Sequence, residues 1–189
     1  MFAPLEIMWA LIGLILTIGG TFLEASIASP SWNVLQEGIP IYSLGVTYQV
    51  GAVLLVGCLG GKNAGALSQI AYLVLGLLWL PVFTHGGGLD YIKQPTFGYL
   101  LGFIPGAWVC GWLAFKLPPR LEFLAASSLL GLLCVHAIGL LFLVVIVHAN
   151  QNALANAAIA YSVYPLPGQL AVVCAVSVVA FILRTIMFY

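Results

Sequence analysis

The sequence predicts an all-α, polytopic integral membrane protein of six transmembrane helices with both termini cytoplasmic, and three observations predict it. Hydrophobic residues make up 63% of the 189 and charged residues 5%, with a mean hydropathy of +1.16. So little polar surface cannot cover a soluble globule. Apolar runs of span length, about 20 residues each, alternate with breaks marked by glycine, proline or charge. Six spans also put Lys62, Lys116, Arg120 and Arg184 on the side of the N-terminus and Lys93 alone on the other, which the positive-inside rule reads as cytoplasmic ends. Residues 1–189 are expected to form one membrane-embedded domain. A formal net charge of zero offers no basic field for nucleic acid.

The first span is expected over residues 5–27 and retained, because Met1 to Glu6 lacks the positive leader of a signal peptide. Ala10, Gly13, Thr17 and Gly20 place small side chains on one helix face, where another helix can approach. Glu24 extends that face by a turn. Pro30 closes the span, and 31–43 reads as a polar connection with Trp32 and Tyr42 at headgroup level. The second span, 44–60, carries Thr47, Tyr48 and Gln49 near its start. Gly61-Lys62-Asn63 makes a tight turn into the third span, 64–83.

A polar stretch with three consecutive glycines, Gly86 to Gly88, flanked by His85, Asp90, Tyr91 and Lys93, then leads through Pro95-Thr96 to the fourth span, 97–115. Gly98, Gly102 and Gly106 recur every four residues there, as close helix packing requires. Lys116 to Glu122 is a sharp turn before the fifth span, 121–148. Residues 149–164 read as a weakly polar connection or short interfacial helix, and Pro165 to Gln169 opens the sixth span, which ends near Arg184.

Catalytic constellations are missing from the sequence. His136 and His148 lie about 120° apart around one helix, no metal-binding helix motif or nucleophile elbow occurs, and Gly86 to Gly88 lies on the outer side, away from cytoplasmic nucleotide. Cys58, Cys110, Cys134 and Cys174 sit in separate apolar runs and read as core residues. The expected protein is not an enzyme and holds no metal or cofactor. Its polar residues gather instead at the outer ends of the spans, as a binding pocket would. Trp32, Tyr42, Tyr48, Tyr91 and Phe97 could enclose an apolar ring, Gln49, His85 and Gln169 supply neutral hydrogen bonds, Lys93 can meet an anion, and Glu24 lies nearby. The ligand implied is small, partly apolar and carboxylated.

Leu80-Pro-Val-Phe83, the glycines after it, Pro95-Thr-Phe-Gly-Tyr-Leu-Leu-Gly-Phe103, Val46-Thr-Tyr-Gln49, Gly65-Ala-Leu-Ser68 and Pro165-Leu-Pro-Gly168 keep one order along the chain. Together they resemble the signature of the BioY family. That resemblance implies the fold and function of the substrate-binding S component of an energy-coupling-factor importer for biotin. It implies a transmembrane coupling subunit and cytoplasmic ATPases as partners, with the stripe Ala10, Gly13, Thr17, Gly20 as the docking face. Gln49 is the best-matched polar residue. Gln169 and Val172 stand where the family carries an Asp and a Lys, and Phe97 stands where it carries a glycine, so Phe97 is expected to narrow the pocket. A different carboxylated vitamin, or a membrane-embedded enzyme built on His85, Asp90 and Lys93, is the alternative.

Overall fold

A computed structural model describes residues 3–28, 41–78, 80–147 and 151–187. Pro30, Trp32 and most of the expected 31–43 connection, and His148, lie outside the described residues. Among the described residues, five helices are long and apolar enough to cross a bilayer: Pro4–Phe22, Gln49–Leu78, Phe97–Lys116, Leu121–Ile146 and the helical stretch Gln151–Met187.

Helix α1, Pro4–Phe22, begins with proline at its first turn, where no amide donor is needed. It ends earlier than the apolar run does. Leu23 is extended, and Glu24–Ala28 forms strand β1, antiparallel to β2, Ile41–Thr47, with Glu24 opposite Thr47 and Ala28 opposite Ile41. The expected span over 5–27 is thus shortened. A ladder to a segment far along the chain satisfies the backbone of Glu24–Ala28, and apolar content alone cannot announce such a partner.

The stripe Ala10, Gly13, Thr17, Gly20 is buried and spent inside the chain, which corrects the expected docking face. A Cβ on Gly13 would lie 2.6 Å from Val56, and one on Gly20 would lie 3.0 Å from the backbone of Tyr48 and Gln49. The outer face of α1 carries exposed Leu5, Leu11 and Ile15 instead.

Helix α2, Gln49–Leu78, consists of two helical arms joined at a kink. Gly61 sits at φ 81°, ψ −179°, outside helical space, and the chain reverses there. Gln49 and Tyr72 make this plain. At 1.5 Å per residue a straight helix would hold them about 35 Å apart, yet their side chains are hydrogen-bonded at 2.9 Å. The turn read at Gly61-Lys62-Asn63 therefore divides α2 into antiparallel arms, and Gly57 and Gly65 face one another across it. Gly61→Ala should destabilise the fold by about 1–2 kcal/mol, because an L-residue at this positive φ carries steric strain. Thermal unfolding in detergent checks it, and a parental melting temperature would contradict it.

Helix α3, Phe97–Lys116, packs on α4, Leu121–Ile146. The Gly98, Gly102, Gly106 stripe serves that contact: a Cβ on Gly102 would meet the Val135 carbonyl oxygen at 2.7 Å, and one on Gly106 the Gly131 oxygen at 2.9 Å. Cys58 and Cys110 are free thiols buried in the same core. Beyond α4, Gln151–Ala158 forms α5, the wider π-turn Ile159–Val163 follows, and Leu166–Met187 forms α6.

The two ends of the bundle differ in chemistry. At one, Lys62 lies over Trp108, Lys116 over Trp112 and Arg184 over Phe115, while the Asn63 amide donates to Glu6 at 2.8 Å. The other end holds the β-hairpin, the glycine-rich turn and the start of α6.

Candidate functional site

At this second end lies a cavity of about 220 Å³. Its walls come from five places in the chain: Gly45 to Thr47 of β2, Gln49 and Val50 of α2, Thr84 and His85, then Tyr91, Thr96, Tyr99, Leu100 and Phe103, and Val135, Tyr161, Pro165 and Gln169 from the last third.

The glycine-rich stretch forms a fixed turn here. Phe83 and Gly86 exchange backbone hydrogen bonds at 2.9 and 3.0 Å, and the Gly88 amide donates to the Gly76 carbonyl at 2.8 Å. Gly86 and Gly88 take φ of 107° and 92°, which glycine adopts without steric cost. Thr84 and His85 at the tip are thereby held against the cavity. Phe83 anchors the turn in the core, with its ring 5.3 Å from Tyr72 and 4.7 Å from Tyr91, and Gly76 leaves the room that the Phe83 ring fills.

Gln49 is 7% exposed and is pinned from behind. Its amide nitrogen donates to the Tyr72 hydroxyl at 2.9 Å, and Tyr72 donates to the Val82 carbonyl at 2.9 Å. Across the cavity, the Gln169 amide oxygen lies 2.7 Å from His136 Nε2, His136 Nδ1 lies 3.1 Å from the Ser162 hydroxyl, and that hydroxyl lies 2.7 Å from the Tyr99 oxygen. His136 is buried. It holds a lining residue, Gln169, in place.

Of the residues expected to meet a ligand, Gln49, His85, Tyr91 and Gln169 share the cavity. Tyr42 is an exposed strand residue, Tyr48 is exposed beside α1, and Glu24 accepts a hydrogen bond from Ser43 at the sheet. None of these three lines the cavity. Lys93 is 81% exposed and lies 2.8 Å from Asp90. The hydrogen-bonded pair holds the Lys93 ammonium above its ordinary pKa and the Asp90 carboxyl below its own. Lys93→Ala should leave the affinity for a small carboxylated ligand and for its neutral amide unchanged, as titration with each would show. A selective loss of the carboxylate-bearing ligand would return Lys93 to the site.

Phe97 does not narrow the cavity. It is buried against Phe142, centroids 5.7 Å apart, because Gly98 beside it lets α4 come close. Sequence reasoning missed Tyr99, Val135 and Tyr161. Only the spacing of Tyr99 three residues after Thr96, on the same face of α3, could have hinted at the first of them.

The BioY family model matches residues 5–188. A protein of Lysinibacillus sphaericus named "Probable biotin transporter BioY" is 40% identical over 116 residues, which are 60% of this chain and 59% of that protein. The Thermotoga maritima protein named "Biotin transporter BioY" is 39% identical over 117 residues, 61% of this chain and 69% of that one. The match to the Lysinibacillus protein therefore spans less than two thirds of its length. Among solved structures, the S-component for biotin from an ECF-type ABC transporter superposes with a TM-score of 0.68 at 20% identity, covering 95% of this chain and 88% of the other. At that identity the likeness carries the fold.

Proposed function

The chain belongs to the BioY family, and we propose that it takes up biotin across the cytoplasmic membrane as the substrate-binding S component of an energy-coupling-factor importer. The observation that carries this reading is the cavity itself. It sits at one end of a bundle of membrane-length helices, is walled by Tyr91, Tyr99, Phe103 and Tyr161, and is edged by Gln49, His85 and Gln169. Aromatic walls suit an apolar bicycle, and two amides suit a ureido group.

Six crossings are the favoured topology, because the arms of α2 run antiparallel about Gly61 and count as two. With six, the end bearing Lys62, Lys116 and Arg184 faces the cytoplasm, and the cavity opens outward. Tryptophans beneath these lysines suit the headgroup region. A single membrane-embedded domain binds the vitamin. A transmembrane coupling subunit with cytoplasmic ATPases would drive its release, since this chain carries no phosphate-binding loop on its cytoplasmic side.

Purification in detergent with mass spectrometry of retained small molecules tests the ligand. Saturable binding of labelled biotin, resisted by other carboxylated vitamins in competition, is the expected result. Protein without retained biotin and without saturable binding overturns the proposal, and displacement by another vitamin at lower concentration would reassign the substrate. Co-purification from native membranes checks the partners.

A further inference from the structure

A primary amide carries two donors and one acceptor, so a freely rotating glutamine does not discriminate a ligand N–H from a ligand C=O. Neither glutamine of the cavity is free to rotate. The single proton of the Tyr72 hydroxyl goes to the Val82 carbonyl, which only accepts. The Thr21 hydroxyl, 3.2 Å away, donates to the Thr17 carbonyl at 2.8 Å. Towards Gln49, therefore, the Tyr72 oxygen can only accept, and it takes the amide nitrogen at 2.9 Å. Gln49 Oε1 has no donor among the described residues, and the residue faces the cavity.

On the opposite wall the order is reversed. The Gln169 oxygen only accepts, so His136 Nε2, 2.7 Å away, carries the proton. With that proton on Nε2, Nδ1 accepts from the Ser162 hydroxyl at 3.1 Å, and Ser162 in turn accepts from the Tyr99 hydroxyl at 2.7 Å. The protons run one way, from Tyr99 through Ser162 and His136 to Gln169. Ser162 reaches His136 from the π-turn Ile159–Val163, where the wider turn shifts the helical phase. What remains of Gln169 for the cavity is its NH2 group. The other polar side chains on the lining, Thr47, Thr84, His85 and Tyr161 among them, can each donate or accept.

Resting on the biotin reading of this cavity, we infer that the two glutamines are sorted by polarity. Gln49 is the fixed acceptor and Gln169 the fixed donor, and the site selects a planar urea or amide that turns N–H towards Gln49 and C=O towards Gln169. Tyr72 and His136 are positioning residues that set this sense without touching the ligand.

Gln169→Glu replaces the donor by an acceptor of nearly the same shape. Saturation binding in detergent is measured with biotin and with 2-iminobiotin, whose ring bears N–H in place of the carbonyl oxygen. Wild-type protein should favour biotin by about tenfold or more, and Gln169→Glu should reverse the preference. His136→Phe should weaken biotin binding about fivefold or more in the wild-type background and add nothing in Gln169→Ala, with melting temperatures as the folding control. The parental preference in a folded Gln169→Glu variant overturns the polarity sorting alone, as does additivity of His136→Phe with Gln169→Ala. Wild-type protein that binds neither compound overturns the biotin reading, and the sorting falls with it.

Discussion

Gln49→Ala is expected to weaken biotin binding by roughly 5- to 150-fold, corresponding to about 1–3 kcal/mol for a ligand polar group left without its partner. Gln49 is buried on the cavity wall, so water does not readily replace the lost amide. Stability should fall by no more than about 1 kcal/mol, the net worth of one hydrogen bond, because Tyr72 keeps its bond to Val82. Tyr72→Phe is the companion variant. It leaves Gln49 in place but removes the oxygen that fixes its amide, so a smaller loss of affinity is expected. Isothermal titration against detergent-solubilised protein measures both, and parental affinity in Gln49→Ala would remove Gln49 from the site.

Gly102→Leu should have the largest structural effect. Its first side-chain atom would already lie 2.7 Å from the Val135 carbonyl oxygen and 3.0 Å from the Val135 Cα. Both are backbone atoms of α4, so no rotamer change relieves the clash and the helices must part. Overpacking of a tight core costs about 1–3 kcal/mol, and more where backbone must move. Phe103 and Val135 flank this contact and line the cavity, so biotin binding should fall together with the melting temperature. Gly19→Ala is the control, since a Cβ there meets nothing within 4 Å. Equal melting temperatures for Gly102→Leu and Gly19→Ala would refute the close packing of α3 on α4.

Much of the fold is legible in local chemistry. Gly61-Lys62-Asn63 marks the reversal within α2 because only glycine takes φ 81° cheaply. The start of α3 at Phe97 follows Pro95-Thr96, and the sharp turn from Lys116 to Glu122 separates α3 from α4. The β-hairpin was not legible. Glu24–Ala28 prolongs an apolar run, and its strand character comes from a partner that begins at Ile41. The small-residue stripe of α1 was read correctly as a close-approach face, but its occupant was not, since spacing reports that a helix can be approached and not by which neighbour.

Of the eight residues that residue type pointed to, Gln49, His85, Tyr91 and Gln169 line the cavity, whereas Tyr42, Tyr48, Glu24 and Lys93 do not. All eight fall near the same end of the helices, so depth in the membrane does not separate them. Rotation about the helix and strand axes does, and it is set by packing. Tyr48 turns to α1 while its neighbour Gln49 turns to Tyr72. By itself the sequence determined a membrane-embedded helical chain of the BioY type, the ends of most helices and the pole at which polar chemistry gathers, because hydropathy, turn residues and ordered motifs act over a few residues. Only the tertiary structure decided which polar groups meet. Tyr72 must be folded back by Gly61 to hold Gln49, and His136 must meet Ser162 and Gln169 from other segments. A hydrogen bond acts over about 3 Å, whereas the residues it joins here are 23 to 33 positions apart.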